Sequence, residues 1–142
     1  MKKTLIFIAA ILMLGGAGFA NSEDGLETEA VKAADDWLRL LDQKEYRQCW
    51  KKSAAFLREQ VSEEEWMKGM GSIDQIIGVT ETRTLRTASY FRALPNAPIG
   101  EYVVIVYDVN YKNGQKAVET VTPMKDPDGQ WRVSGYYIKP DR

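Results

Sequence analysis

The C-terminal third of the chain alternates runs of β-branched and aromatic residues with short turn sequences. The runs cover residues 102–111, 117–124 and 130–138. Asn113-Gly114 separates the first two runs, and Asp126-Pro-Asp-Gly129 separates the last two. Turns of this kind between β-forming runs are typical of antiparallel hairpins. The chain is therefore predicted to end in a three-stranded antiparallel meander.

Three helices are predicted upstream of these strands. The first covers about residues 25–41, where small and apolar residues recur at three- and four-residue spacing. The second begins near Glu45, and the pattern leaves open whether it stops near Ser53 and resumes at Phe56. The third begins at Ser62, because Ser62 and Glu65 have the spacing of a capping box.

Residues 79–90 alternate in the manner of a strand but are largely polar, which favours a position at a sheet edge. Together these patterns predict an α+β fold, with three N-terminal helices packed on one face of a curved four-stranded antiparallel meander sheet. Helices that lie across a curved sheet tend to leave a cleft beside them.

The first twenty residues have the pattern of a signal peptide. Lys2 and Lys3 precede an apolar run, and Gly18-Phe-Ala20 suits cleavage. The apolar stretch is shorter than the roughly 20 residues that span a bilayer, although an uncleaved N-terminal anchor is the alternative. Cleavage near Ala20 would leave residues 21–142 as a single α+β domain, periplasmic or secreted, with no stable membrane span.

The composition excludes several kinds of site. The chain has no histidine, which removes the commonest general base and the commonest transition-metal ligand. Cys49 is the one cysteine, so a thiolate zinc site within one chain is excluded, and its apolar surroundings favour burial. No basic block suits nucleic acid. We therefore predict no metal, no cofactor and no assigned catalytic residue.

Several residues together resemble a bacterial family catalogued as domain of unknown function 4019. They are Trp37-Leu38, Asp42, Tyr46, Trp50, Trp66, Gly78, Arg83, Leu94-Pro95, Pro98, and residues 100–103, 119–122 and 128–138. The most specific part is the C-terminal Gly-x-Trp-Arg-Val-x-Gly-Tyr block, residues 129–136. The resemblance implies a small exported domain of the nuclear-transport-factor-2-like or cystatin-like α+β kind. It implies no catalytic residues.

A two-residue turn at Asn113-Gly114 would place Asp108 directly opposite Glu119 on the neighbouring strand. Like charges at that position repel each other, so an arginine, a bound cation or a shared proton should relieve them. Arg83 and Arg132 are the candidate arginines. A carboxylate acid/base pair and a different register are the alternatives.

Counting residue pairs outward from the Asn113-Gly114 turn also assigns each strand residue to one of the two sheet faces. The predicted helix-facing set is Val103, Ile105, Tyr107, Val109, Val118, Trp131, Val133 and Tyr137. The predicted open face carries Val104, Val106, Asp108, Glu119, Val121, Arg132, Ser134 and Tyr136. A bulge near the last turn would exchange the faces of the final strand.

The valines and the tyrosine of the open face, Val104, Val106, Val121 and Tyr136, predict a homodimer interface, since exposed apolar patches often mark interfaces.

Six residues are candidates for ligand binding: Trp50, Trp66, Arg83, Tyr107, Glu119 and Tyr137. For the tryptophans the alternative is core packing with bonded indole N–H groups, and for Arg83 and Glu119 a structural ion pair. We expect a non-catalytic exported domain that binds a small apolar molecule or an envelope protein. The alternatives are a cleft enzyme that uses Tyr and Asp/Glu as acid and base, and a protease-inhibitor-like module that presents the Leu94–Ile99 loop.

Overall fold

The computed structural model describes residues 24–141, so the predicted signal peptide, residues 1–20, lies outside the described part of the chain. The helices are α1 (Asp24–Asp42), α2 (Tyr46–Lys52), α3 (Ala55–Gln60) and α4 (Glu63–Asp74), and the strands are β1 (Thr80–Phe91), β2 (Tyr102–Tyr111), β3 (Lys116–Lys125) and β4 (Trp131–Asp141). The antiparallel sheet has the order β1-β2-β3-β4. The predicted α+β class, the meander and the edge position of β1 are therefore confirmed.

Residues 24–141 form four helices, because the chain is extended between α2 and α3. The second predicted helix therefore stops near Ser53 and resumes, which is one of the two possibilities that its pattern left open. Ser53 has a ψ angle of 161° and Ala54 one of 150°. These extended angles interrupt the helical hydrogen bonds. The Ala54 N–H instead donates to the Val133 carbonyl at 2.8 Å. The break therefore joins the helices to the free edge of β4.

Helix α4 begins with the predicted capping box. The Ser62 hydroxyl accepts from the Glu65 N–H at 3.1 Å, and the Glu65 carboxylate accepts from the Ser62 N–H at 3.0 Å. The helix ends at Asp74, before Gly78. Gly78 instead passes close to the β2–β3 turn, where a Cβ atom would lie 2.6 Å from Asn113 Nδ2.

The β2–β3 turn has three residues, Lys112 to Gly114, and this shifts the predicted register. The Tyr111 N–H donates to the Gln115 carbonyl at 2.9 Å, and Gly114 has φ +86°. A glycine with positive φ closes three-residue hairpins of this kind. Across the sheet, Tyr107 faces Glu119 and Asp108 faces Val118. The predicted opposition of Asp108 and Glu119 was therefore wrong.

The shift of one residue exchanges the two faces of β3. Glu119 and Val121 lie beneath the helices, whereas Val118 lies on the open face. In β4, Ser134 is an extra residue between the pairs Pro123–Val133 and Thr122–Gly135. This bulge exchanges the faces of the strand residues that follow it. Trp131 and Val133 are buried as predicted, but beyond the bulge Tyr136 faces the helices and Tyr137 does not. The predicted placement of Val118, Glu119, Val121, Tyr136 and Tyr137 was wrong.

The main core lies between the helices and the inner sheet face. Trp37 of α1 contacts the ring of Trp66 at a centroid distance of 5.8 Å and that of Tyr136 at 5.3 Å. Cys49 is buried as predicted, and burial raises the pKa of its thiol to about 12. Among residues 24–141, no helix combines the length and apolar character needed to cross a bilayer.

We predict that Gly78→Ala lowers the melting temperature by roughly 3–5 °C, the shift expected for a loss of about 1 kcal/mol. The new methyl group would displace Asn113, whose side chain accepts from the Gln115 N–H at 3.0 Å. Differential scanning calorimetry measures the change.

Gly71→Ala is the matched control, because no atom lies within 4 Å of the position of its added Cβ, and it sits inside α4. Alanine should stabilise the helix there by about 0.5–1 kcal/mol. In an Asn113→Ala background, Gly78→Ala should cost little. If Gly78→Ala lowered the melting temperature as much in that background as in the original protein, the contact with Asn113 would not be the cause of the destabilisation.

Candidate functional site

An open groove of about 430 Å³ runs between α1 and the inner side of β1. Its walls are formed by Val31, Asp35, Leu38, Arg39, Asp42, Arg83, Leu85 and Tyr107. Both apolar and charged side chains therefore line one continuous surface. We take this groove as the candidate site and call it the α1–β1 groove.

Helix and strand periodicity bring these residues together. On α1, Val31, Asp35, Leu38 and Asp42 follow one another at three- and four-residue spacing, so they form one stripe along the helix. This stripe lies beside the fully buried stripe that contains Ala34 and Trp37. On the sheet, Leu85 faces Tyr107 across β1 and β2, so both point towards α1.

The Tyr107 hydroxyl donates to Asp35 Oδ1 at 2.8 Å, which connects the sheet to the middle of α1. Burial raises the pKa of Tyr107 above its ordinary value of 10.0, and the bond to Asp35 raises it further. Asp35 is exposed, and it makes no ion pair within 4 Å among residues 24–141. The groove therefore presents one carboxylate whose charge has no partner in the described part of the protein.

Arg83 lies at the end of the groove and joins three elements. Its Nη1 and Nη2 atoms donate to the two Asp42 oxygens at 2.8 and 2.9 Å, and its Nε donates to Glu119 Oε1 at 2.7 Å. Burial by itself would lower the pKa of Arg83, but the two carboxylates outweigh it and raise the pKa. Arg83 therefore stays charged and is held firmly by α1 and β3.

Glu119 is almost completely buried, with 1% of its side chain exposed. Arg83 neutralises its charge, and the Tyr136 hydroxyl donates to Oε2 at 2.5 Å. Burial raises the pKa of Tyr136 well above its ordinary value, and the charge of Glu119 adds to the effect. A buried carboxylate with an arginine and a phenol as donors satisfies the rule that buried charges are paired.

The structure brings together only part of the predicted ligand set. Arg83 and Tyr107 line the groove, and Glu119 lies behind Arg83. Trp50 and Trp66 belong to the helical layer, where their indole N–H groups donate to the carbonyls of Val61 and Tyr46, each at 2.8 Å. This agrees with the core-packing alternative for both. Tyr137 lies on the opposite sheet face.

Asp35, Val31, Leu38 and Leu85 were missed as site residues. Asp35 lies on the exposed side of α1, outside the buried apolar stripe from which the helix was predicted. Its stripe with Val31, Leu38 and Asp42 was a usable signal, because it borders the buried stripe of α1. Nothing in the sequence indicated which strand would lie under that stripe.

Only two of the four predicted dimer residues lie on the open face. Val104 and Val106 are half-buried there, and Val104 packs against a small apolar cluster that includes Leu94, Tyr102 and Met124. Val121 and Tyr136 are buried under the helices. The predicted apolar patch is therefore smaller, while the homodimer itself stays a prediction.

Residues 24–141 contain no group of three or more Asp, Glu or Cys side chains that could hold a metal ion. The carboxylates that approach one another, Asp42 and Glu119, already bind the guanidinium of Arg83. Chemistry in the groove would therefore rest on Asp35 and Tyr107.

We predict that Arg83→Met lowers the free energy of unfolding by about 3–5 kcal/mol, because it leaves Glu119 buried without its charge partner. Arg86→Met on the same strand is the control. Its pair with Asp108 is exposed to solvent, so the loss of stability should be small. Urea unfolding of both variants tests this, and equal losses would contradict a special role for Arg83.

We also predict that the protein loses stability as the pH rises above about 10. The folded state raises the pKa of Tyr46, Tyr107, Tyr111 and Tyr136, mainly through burial. In the unfolded chain these phenols ionise near 10, so alkaline pH favours the unfolded state. Tyrosinate absorbance should show four phenols that ionise only on unfolding. Ionisation of all seven tyrosines in the folded protein would contradict the prediction.

The comparisons with known proteins agree with the resemblance found in the sequence. The family model "Protein of unknown function (DUF4019)" matches residues 33–136, a segment that contains Glu119 and every groove residue except Val31. No curated protein and no solved structure shows significant similarity to the chain, so the likeness to nuclear transport factor 2 or to cystatins stays a prediction. Because the match covers more than half of the chain, the protein belongs to the DUF4019 family of proteins of unknown function.

Proposed function

We propose that this protein is an exported, non-catalytic binding domain, periplasmic or secreted, that holds a segment of a partner protein in the α1–β1 groove. The observation that carries the proposal is the groove itself. It combines apolar walls, one carboxylate that has no charge partner among residues 24–141, and the free edge of a sheet. The export half of the proposal rests on the signal-peptide pattern of residues 1–20.

The shape of the groove favours a polypeptide over a small apolar molecule. Sites for small molecules bury most of the ligand surface, which needs an enclosed cavity. The α1–β1 groove is open to solvent along its length, and Leu85 on its wall is 48% exposed. An extended segment could place its side chains on Val31 and Leu85 and its backbone along β1.

The edge position of β1 supports the same conclusion. β1 pairs with β2 on one side only, so half of its backbone groups face away from the sheet. Extended peptides bind to such edges by adding a strand. A bulge near Arg86 and the charged side chains of Glu81 and Arg86 oppose indiscriminate pairing of edges. These features suit a specific partner better than pairing between identical β1 edges.

The state of the polar groups supports binding over catalysis. A general base or acid needs a pKa near the working pH. The pKa of Tyr107 is raised by burial and by its bond to Asp35, so its phenol stays protonated at neutral pH. Asp42 and Glu119 each accept hydrogen bonds from Arg83.

Two observations favour the other candidates. The Tyr107–Asp35 hydrogen bond in the groove is what a cleft enzyme with tyrosine and carboxylate chemistry would use. Ile99 is 95% exposed in the loop between β1 and β2, next to Pro98, whose carbonyl accepts from the Tyr102 hydroxyl. That loop suits a protease-inhibitor-like contact. The proposed experiment therefore separates all three.

The test is photo-crosslinking in the native cell, with a photoreactive phenylalanine analogue placed at Leu85, at Ile99 or at Glu59. We expect a discrete protein adduct from Leu85 and none from Glu59, which is exposed on α3 away from the groove. Val31→Glu should weaken the Leu85 adduct about tenfold, the effect of losing about 1.4 kcal/mol of binding energy.

Adducts from Ile99 alone would favour the inhibitor-like module, and no adduct from either position would contradict a protein partner. For the enzyme, the purified protein is incubated with an envelope extract and the small molecules are compared by mass spectrometry. Turnover that Asp35→Asn abolishes would favour catalysis and would contradict the binding proposal.

A further inference from the structure

A second, smaller cavity of about 40 Å³ lies behind Arg83, between the ends of α1 and α4 and the strands β1 to β3. Its walls combine apolar side chains, among them Leu41 and Met70, with polar ones. Its polar lining includes Asp42, Asp74, Thr80, Arg83, Tyr111 and Glu119. The Arg83–Asp42 ion pair also borders the α1–β1 groove, so it separates the two spaces.

Tyr111 points to the occupant of this cavity. The residue is only 3% exposed, and within residues 24–141 its hydroxyl finds no protein group at hydrogen-bonding distance. A buried hydroxyl without a partner destabilises the folded state. Burial raises the pKa of Tyr111, and the charge of Glu119 raises it further, so the phenol is held as a neutral donor.

Acceptors are present on the neighbouring walls. Each Glu119 oxygen accepts one hydrogen bond, from Arg83 or from Tyr136, and a carboxylate oxygen can accept two. Asp42 Oδ2 likewise accepts from Arg83 alone. A molecule that accepts from Tyr111 and donates to a carboxylate would satisfy both sides of the cavity.

We propose that this cavity is a binding site for a water molecule that connects the Tyr111 hydroxyl to the Asp42–Arg83–Glu119 network. The cavity is large enough, because a buried water needs roughly 10–15 Å³ of accessible space and a polar site with at least two partners. Such a water would extend the hydrogen bonds of the buried ion pair to the end of β2.

A neutral molecule fits this site better than a cation. Arg83 and Lys44 both border the cavity, and each is bonded to a carboxylate there, Arg83 to Glu119 and Lys44 to Asp74. A cation next to the guanidinium would be repelled, and it would compete for carboxylate oxygens that are already in use. A water molecule could bond to the Tyr111 hydroxyl and to a carboxylate oxygen without being repelled by the guanidinium.

The test combines a high-resolution crystal structure with Tyr111→Phe. We expect one density peak within about 3.2 Å of the Tyr111 oxygen and of a carboxylate oxygen. Tyr111→Phe should lose that peak and lower the melting temperature by roughly 3 °C, because the bonded water loses a partner. Tyr137→Phe on the open face is the control and should change the melting temperature little.

A melting temperature that does not fall in the Tyr111→Phe variant would overturn the proposal. If no water is bound, Tyr111→Phe removes an unsatisfied hydroxyl, and the melting temperature should rise or stay the same. A peak with the contacts of a metal ion, or a melting temperature that depends on whether ammonium or tetramethylammonium is the salt cation, would also overturn it. Equal melting temperatures in the two salts, with the expected peak, would support it.

Discussion

The contact on which the rest of the structure depends is the bond of Arg83 to Glu119 and Asp42. A carboxylate that is 1% exposed can keep its charge only if a cation and further donors surround it. Arg83 and Tyr136 provide these from the two strands that are farthest apart in the sheet, β1 and β4. Asp42, the last residue of α1, also accepts from Arg83, so the C-terminal end of this helix is bonded to the same cluster. One polar cluster therefore fixes the helix relative to both edges of the sheet.

This cluster also decides where open space lies around α1. Because Arg83 holds the end of α1 close to the sheet, the helix is connected to β1 at Asp42 and to β2 at Asp35. Between these two points, Leu38 and Leu85 line the α1–β1 groove. Behind the same ion pair, Tyr111 closes the smaller cavity. The groove and the cavity are thus two consequences of one arrangement of charged side chains in a mainly apolar interior.

Much of the fold could be predicted because its signals are local. The capping box at Ser62, the small and apolar stripe of α1 and the alternation of β2 depend on neighbours in the sequence, and the structure confirms each. The errors came from single-residue choices at turns. Gly114 closes a three-residue turn, and Ser134 forms a bulge, so β3 and the end of β4 present the opposite faces from those predicted. Arg83, Tyr107 and Glu119 were named as candidates, and the Arg83–Glu119 ion pair was among the interpretations and is present. The contacts of Arg83 with Asp42, of Tyr107 with Asp35 and of Glu119 with Tyr136 were found only in the tertiary structure.

The sequence by itself determined the secondary structure, the antiparallel meander, the burial of Cys49 and the membership of the DUF4019 family. It did so because periodicity, caps and turn residues act over a few positions and leave a pattern in the chain. Only the tertiary structure decided that Glu119 lies inside with Arg83, that Asp108 lies outside with Arg86, and that α1 crosses β1 to form the groove. Those pairings depend on strand register and on distances between segments far apart in sequence, and one inserted residue at a turn reverses them.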